Sequence, residues 1–221
     1  MSQTMSIEFR GESRSFPSKK TPFQALAPNS TGAVLIIAGD QAGQALEDVD
    51  ASAKAAILVE LSTECLGVHT GEYYGKEGSK ILCFARFRLG KAGPSNLVEV
   101  VRQPATDEAA IAAAREVLEE AGLKVAVCLD FPGRIVDRLI RPIYNSVLRR
   151  LDEGLAEAEH MDTTMRLGLG YPVGLVELLE KSGLAEHYMV TQSLYEALGD
   201  PAYCPARRAR VAKMRQDAGK E

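Results

Sequence analysis

The chain has 221 residues, 46% hydrophobic and 25% charged, enough for one ordinary domain or two small ones and too apolar for a disordered polymer. A net charge of −4 and a pI near 5.6 remove any electrostatic basis for a nucleic-acid partner. Four scattered cysteines with no CxxC pair exclude a disulfide framework and fit a reducing cytoplasm, and the three histidines lack metal-ligand spacing. The longest uninterrupted apolar run, 33–38, is far too short to span a bilayer, and no signal-peptide run is present, so a soluble intracellular protein is expected.

In chain order, residues 1–31 are rich in Ser, Thr, Pro and charge without a sustained period, and read as a flexible or loosely docked leader. AVLIIA (33–38) is a buried strand entering a turn at Gly39-Asp40. A helix is expected over 41–53, followed by strands at AAILVEL (55–61), KILCFARF (80–87) and LVEVV (97–101). The clearest amphipathic helix of this half runs from Thr106 to Gly122, with Ile111, Ala114, Leu118 and Ala121 on its inner stripe. KVAVCL (124–129) follows as a strand, so strands alternate with helices and a mainly parallel α/β sheet is implied. After Phe131 strands vanish. Helices are expected at 133–152, 156–167, 172–181, 184–198 and 205–217, placing a boundary near 130–133 between an α/β half (32–130) and an all-α half (131–221). Residues 201–221 carry six Lys/Arg against two acids, read as a solvated helix face in preference to a site for CoA phosphates.

The junction and the first helical segments read DFPGRIVDRLIRPIYNSVLRRLDEGLAEAEHMDTTMRLGLGYPVG (130–174). Pro132-Gly133 breaks the preceding strand, and Ile135, Val136, Leu139, Ile140, Ile143, Tyr144, Val147, Leu148 and Leu151 recur at helical spacing before Gly154. The order PGxIVxRLxxPxxN, then LDEG, then MDxxMRLGxGYPxG resembles the C-terminal helical domain of the L-3-hydroxyacyl-CoA dehydrogenases, and the likeness extends from Leu97 to Pro205. It implies a truncated Rossmann-like, mainly parallel sheet followed by a helical domain like the C-terminal domain of 6-phosphogluconate dehydrogenase. In that family the helical domain forms the subunit interface and one wall of the acyl-CoA cleft. Long dehydrogenases of fatty and aromatic acid degradation carry a second, degenerate copy of the same two-part unit, which this chain resembles.

The family's reaction transfers hydride to NAD, whose pyrophosphate sits on a GxGxxG strand-to-helix turn. Gly39-Asp-Gln-Ala-Gly43 follows a strand but lacks that spacing, and HTGEYYGKEG (69–78) fails as a phosphate loop, with three residues between Gly71 and Gly75 and no hydroxyl after Lys76. AVLIIAGD resembles the family's fourth strand, with Ala38 at its glutamate, so the mononucleotide-binding half is expected to be missing. The family's base is a histidine poised by a glutamate. By resemblance that glutamate is Glu99, while the histidine position falls on Ala85 or Phe87, and His69 lies too early to substitute. The asparagine that approaches the thioester is Asp137, a carboxylate that only accepts hydrogen bonds. Ser62 and Thr63, in LSTE (61–64), match the segment whose serine contacts substrate. The expected substrate-binding residues are therefore Ser62, Thr63 and Asp137, with Glu99 a vestigial catalytic residue. No cofactor is expected, NAD entering only with a partner domain. The resemblance implies a homodimer through the helical domain, an acyl-CoA ligand and a complete dehydrogenase as a further partner. The alternative is a working dehydrogenase completed by another chain.

Overall fold

The computed structural model describes residues 4–23, 32–71 and 80–220. Within them the chain forms two compact units, Met1–Arg88 with Pro94–Ile135, and Leu89–Gly93 with Val136–Glu221.

The first unit is a Rossmann-like α/β domain built on a six-stranded sheet whose spatial order follows the sequence: β1 (Met5–Phe9), β2 (Val34–Ala38), β3 (Ala56–Glu60), β4 (Ile81–Arg86), β5 (Leu97–Arg102) and β6 (Lys124–Leu129). All pairs are parallel except β4–β5, which is antiparallel. β2 and β3 are buried at every position, the mark of central strands covered on both faces. One face packs Val34, Ile36, Leu58, Phe84 and Val100 against helix α2 (Glu108–Glu120), which presents Ala110, Ile111, Ala114, Val117 and Leu118. The opposite face gathers Leu35, Ile37, Ile57, Val59 and Cys83 with Leu66, beside the single-turn helix α1 (Gly67–Thr70).

Two expectations fail here. The leader is not loosely attached over its described part: Met5–Phe9 pairs with β2 from Met5↔Val34 to Phe9↔Ala38, and Phe16 and Phe23 are buried in the core. Its period-2 signal spans only five residues, and its stability comes from a ladder with a strand about thirty residues away, which local pattern does not reveal. The leader's residues 24–31 lie outside the described residues, as do 72–79 of the loop weighed above as a phosphate binder. The helix expected over 41–53 is only a 3-10 segment, Gln44–Asp48. Gly43 lies against the His69 ring, where a Cβ would fall 2.3 Å from Cε1, so the position has room only for glycine.

The second unit is all-helical: α3 (Ile135–Asp152, whose first residue belongs to the first unit), α4 (Ala158–Leu169), α5 (Leu175–Ser182), α6 (Leu184–Leu198) and α7 (Arg207–Asp217). Asp162 caps α5, its carboxylate accepting from Val176 N (2.8 Å) and Glu177 N (2.9 Å). Gly170 and Gly199 end α4 and α6 in the left-handed region. Pro142 stands inside α3 and lacks the N–H that would bond the Arg138 carbonyl; the Tyr203 hydroxyl donates to that carbonyl instead, at 2.8 Å.

Candidate functional site

The antiparallel register of β4 and β5 places Ala85 directly opposite Glu99. Directly opposed Cβ atoms lie about 5 Å apart, the reach of an imidazole to a carboxylate. Ala85, and not Phe87, is therefore the residue facing Glu99, and it offers a methyl group. Glu99 is 1% exposed on its strand. Ser62 and Thr63 follow β3, Ser62 exposed and Thr63 half-buried, and the Thr63 carbonyl accepts from Gly133 N at 2.6 Å. This bond fastens the LSTE segment to the Pro132-Gly133 turn. His69 is tied elsewhere, with Nε2 3.5 Å from Glu64 Oε1 and its ring on Gly43.

Arg134 was read from the sequence only as part of a helix opening, yet it is 2% exposed and organises this end of the sheet. Its Nη1 donates to the carbonyls of Phe131 (3.2 Å) and Gly133 (2.8 Å). Nη2 donates to those of Leu61 (3.2 Å) and Glu64 (2.9 Å), and to Cys83 Sγ (2.8 Å). Burial pushes the Cys83 thiol up to about 12 despite the neighbouring guanidinium, so it stays protonated and unreactive. Asp130 holds the start of α1, accepting from Leu66 N (2.7 Å) and Gly67 N (2.8 Å).

Asp137 belongs to the helical unit. Its Oδ1 accepts from Arg141 Nε at 2.7 Å, so the carboxylate is already neutralised by a buried cation. Arg141 Nη1 lies 3.0 Å from His187 Nδ1, and His187 Nε2 lies 3.0 Å from Asn145 Oδ1. A guanidinium only donates, so Nδ1 must accept and Nε2 carries the proton. Asn145 Nδ2 continues to Thr191 Oγ1 (2.7 Å), which donates to the Tyr203 carbonyl (2.7 Å). Burial, then the Arg141 charge, lowers His187 to about 3. In the basic C-terminal helix, Arg207 and Arg208 pair with Asp152 and Lys213 with Asp217, while Arg208, Arg215, Lys91 and Val211 line an open cavity of about 360 Å³. Among the described residues no group of three or more metal-ligating side chains converges, and no helix is long and apolar enough to cross a membrane.

Residues 133–220 match the sequence profile of the 3-hydroxyacyl-CoA dehydrogenase C-terminal domain. The 3-hydroxybutyryl-CoA dehydrogenase of Bradyrhizobium diazoefficiens is 39% identical over 109 residues, 49% of this chain and 37% of that protein. The helical part of the chain, 133–220, is thus similar to the C-terminal domain of the 3-hydroxyacyl-CoA dehydrogenases. The mitochondrial hydroxyacyl-coenzyme A dehydrogenase of Sus scrofa is 40% identical over 88 residues, 40% of this chain and 28% of that one. The aligned part thus spans well under half the length of these relatives. In fold, the chain superposes on (S)-3-hydroxybutyryl-CoA dehydrogenase PaaH1 from Ralstonia eutropha with a TM-score of 0.70 at 24% identity, covering 91% of this chain and 75% of that one. FadB2 from M. tuberculosis gives a TM-score of 0.67 at 24% identity, over 85% and 66%.

The family's dinucleotide does not fit the described turns after β1 and β2. Beside β1 and β2 the amides are already taken: Gly39 N and Ser15 N each donate to the Glu60 carboxylate at 2.7 Å. Asp40 N donates to the Glu12 carbonyl (3.0 Å) and Gln41 N to that of Arg10 (3.1 Å). The glycine-bearing turn after β2, 39–43, meets the His69 ring at its far end.

Proposed function

We propose that this chain is a 3-hydroxyacyl-CoA dehydrogenase-family protein acting as a binding and assembly subunit of CoA-thioester metabolism, holding an acyl-CoA and a second subunit without transferring hydride itself. The observation that carries the reading is Ala85 facing Glu99: the carboxylate that would orient a base remains, and the base is a methyl group that takes no proton. Asp137, in the position that approaches the thioester by resemblance, is engaged by Arg141, and Ser62 keeps an exposed hydroxyl for a substrate. Leu139 and Ile143, one turn apart on α3, and Leu167 and Leu169 on α4 are exposed apolar side chains that suit a homodimer interface in the helical unit, and a complete dehydrogenase is the natural further partner. Four cysteines outside any disulfide suit a cytoplasmic setting.

The purified chain, incubated with NAD and 3-hydroxybutyryl-CoA, is expected to form no NADH while acetoacetyl-CoA gives a calorimetric binding isotherm. Sustained NADH formation by the chain alone refutes the reading. Absence of thioester binding by a stable dimer leaves only the assembly role.

A further inference from the structure

The buried carboxylate of Glu60 ends β3 and joins three segments that are distant in sequence. Its Oε2 accepts from Gly39 N (2.7 Å), after β2, and from Ser13 Oγ (2.6 Å), after β1; its Oε1 accepts from Ser15 N (2.7 Å). Ser13 Oγ in turn accepts from Phe16 N (2.9 Å), and Phe16 is fully buried. Asp40 Oδ1 accepts from Glu12 N (3.1 Å), so the turns after β1 and β2 are laced together. At 7% exposure, the carboxylate has replaced its water by three protein donors.

The topology gives this cluster its meaning. In a doubly wound dinucleotide-binding sheet the first strand lies beside the fourth, and the turn after the first strand offers backbone N–H groups to the pyrophosphate. β2 is the strand resembling the family's fourth, and β1 pairs with its free edge, in parallel. β1 and the turn after it therefore stand where the first strand and its phosphate turn would stand. At that turn the anion is already supplied by the protein.

We propose that residues 5–16 and Glu60 form a built-in occupant of the dinucleotide seat: β1 fills the sheet edge, and the Glu60 carboxylate takes donors that a pyrophosphate would use. The α/β unit is then complete without NAD, and the edge of β2 is closed to a dinucleotide-binding half from another chain. This deepens the proposed function and rests on it only for the family assignment; the acyl-CoA-binding and NADH assays that test that function do not report on Glu60.

The test uses wild type and Glu60→Ala in the full chain, with NAD, inorganic pyrophosphate and formate as probes. Wild type is expected to give no calorimetric signal with NAD or pyrophosphate at about 1 mM and no thermal shift with either. Glu60→Ala, its donors vacated, is expected to melt about 5–10 °C lower and to recover part of that loss in formate or pyrophosphate. Wild-type affinity for NAD tighter than about 100 µM overturns the proposal, as does a folded Glu60→Ala protein indifferent to both anions. If Glu60→Ala does not fold, amide exchange of wild type decides. The Ser15 and Gly39 amides are expected to exchange as slowly as those of β2 and to be unchanged by NAD, and fast exchange at both, or added protection with NAD, refutes the occupant.

Discussion

His187 should make the helical unit lose stability as the pH falls below neutrality, and the size of the effect follows from its surroundings. The imidazole is fully buried, accepts from Arg141 at Nδ1 and donates to Asn145 at Nε2, so a second proton would have to be placed at Nδ1 against a guanidinium. Its folded value is about 3 against 6.5 for the unfolded residue. Between these limits the unfolded chain binds the proton and the native chain does not, so stability is complete above about pH 6.5 and is lost as pH falls towards 3. The slope approaches about 1.4 kcal/mol per pH unit below pH 6, and the loss between pH 6.5 and about 4.5 is roughly 2.3 kcal/mol. Carboxylates add their own slopes, so the readout is a difference: urea melts of wild type and His187→Gln, followed by far-ultraviolet circular dichroism across that range. The gap between the two proteins is expected to change with pH by that amount whatever its offset at neutrality. Parallel curves, or a His187 ring proton in NMR that titrates near 6.5, would refute the reasoning.

Cys83 should stay silent to a thiol reagent in the native chain while Cys65 and Cys204, which are half-buried, react; labelling of Cys83 at the rate of a free thiol contradicts the burial that raises its pKa. Asp162→Ala removes both acceptors at the start of α5 and is expected to cost about 1–2 kcal/mol in denaturant melts, with a change below about 0.3 counting against the cap. Leu139→Asp places a carboxylate on the most exposed apolar position of α3 and should shift a homodimer to monomer in sedimentation, so an unchanged mass excludes that face. In Ala85→His the new imidazole faces Glu99 and should titrate above about 6.5 by NMR; a value at or below that shows the two are not paired.

Much of this was legible in the chain because the signals were local. The apolar runs at 33–38, 55–61 and 97–101 became β2, β3 and β5, and Gly122 and Gly154 follow the real ends of α2 and α3. The candidate pair was legible only up to a choice, since Ala85 and Phe87 were equally placed until the register of β4 and β5 set Ala85 opposite Glu99. The rest depended on long-range partners. β1 needs the edge of β2, Glu60 takes donors from 45 and 47 residues earlier in the chain, and Arg134 reaches carbonyls 70 and 73 residues before it. No window of sequence contains both ends of such a bond. The helix expected over 41–53 shortened to the 3-10 segment Gln44–Asp48, and the contact of Gly43 with His69 is likewise absent from local periodicity.

The buried and half-buried charges share one habit. Glu60, Asp130 and Asp162 each accept two backbone N–H groups, while Arg134 donates to four carbonyls and Arg141 closes on Asp137 and His187. An enzyme that binds an anionic cofactor keeps some N–H groups and cations unmatched until the ligand arrives, and that lack is what makes the ligand bind. Here the turns beside β1 and β2 give the amides of Gly39, Asp40, Gln41 and Ser15 to the protein's own acceptors. A charge satisfied in this way contributes to holding segments in place, and removing one partner strands the other in a low-dielectric interior at a cost of roughly 3–5 kcal/mol. The donors that would meet a dinucleotide phosphate thus serve as internal ties, in keeping with the proposed role of holding ligands and subunits without hydride transfer.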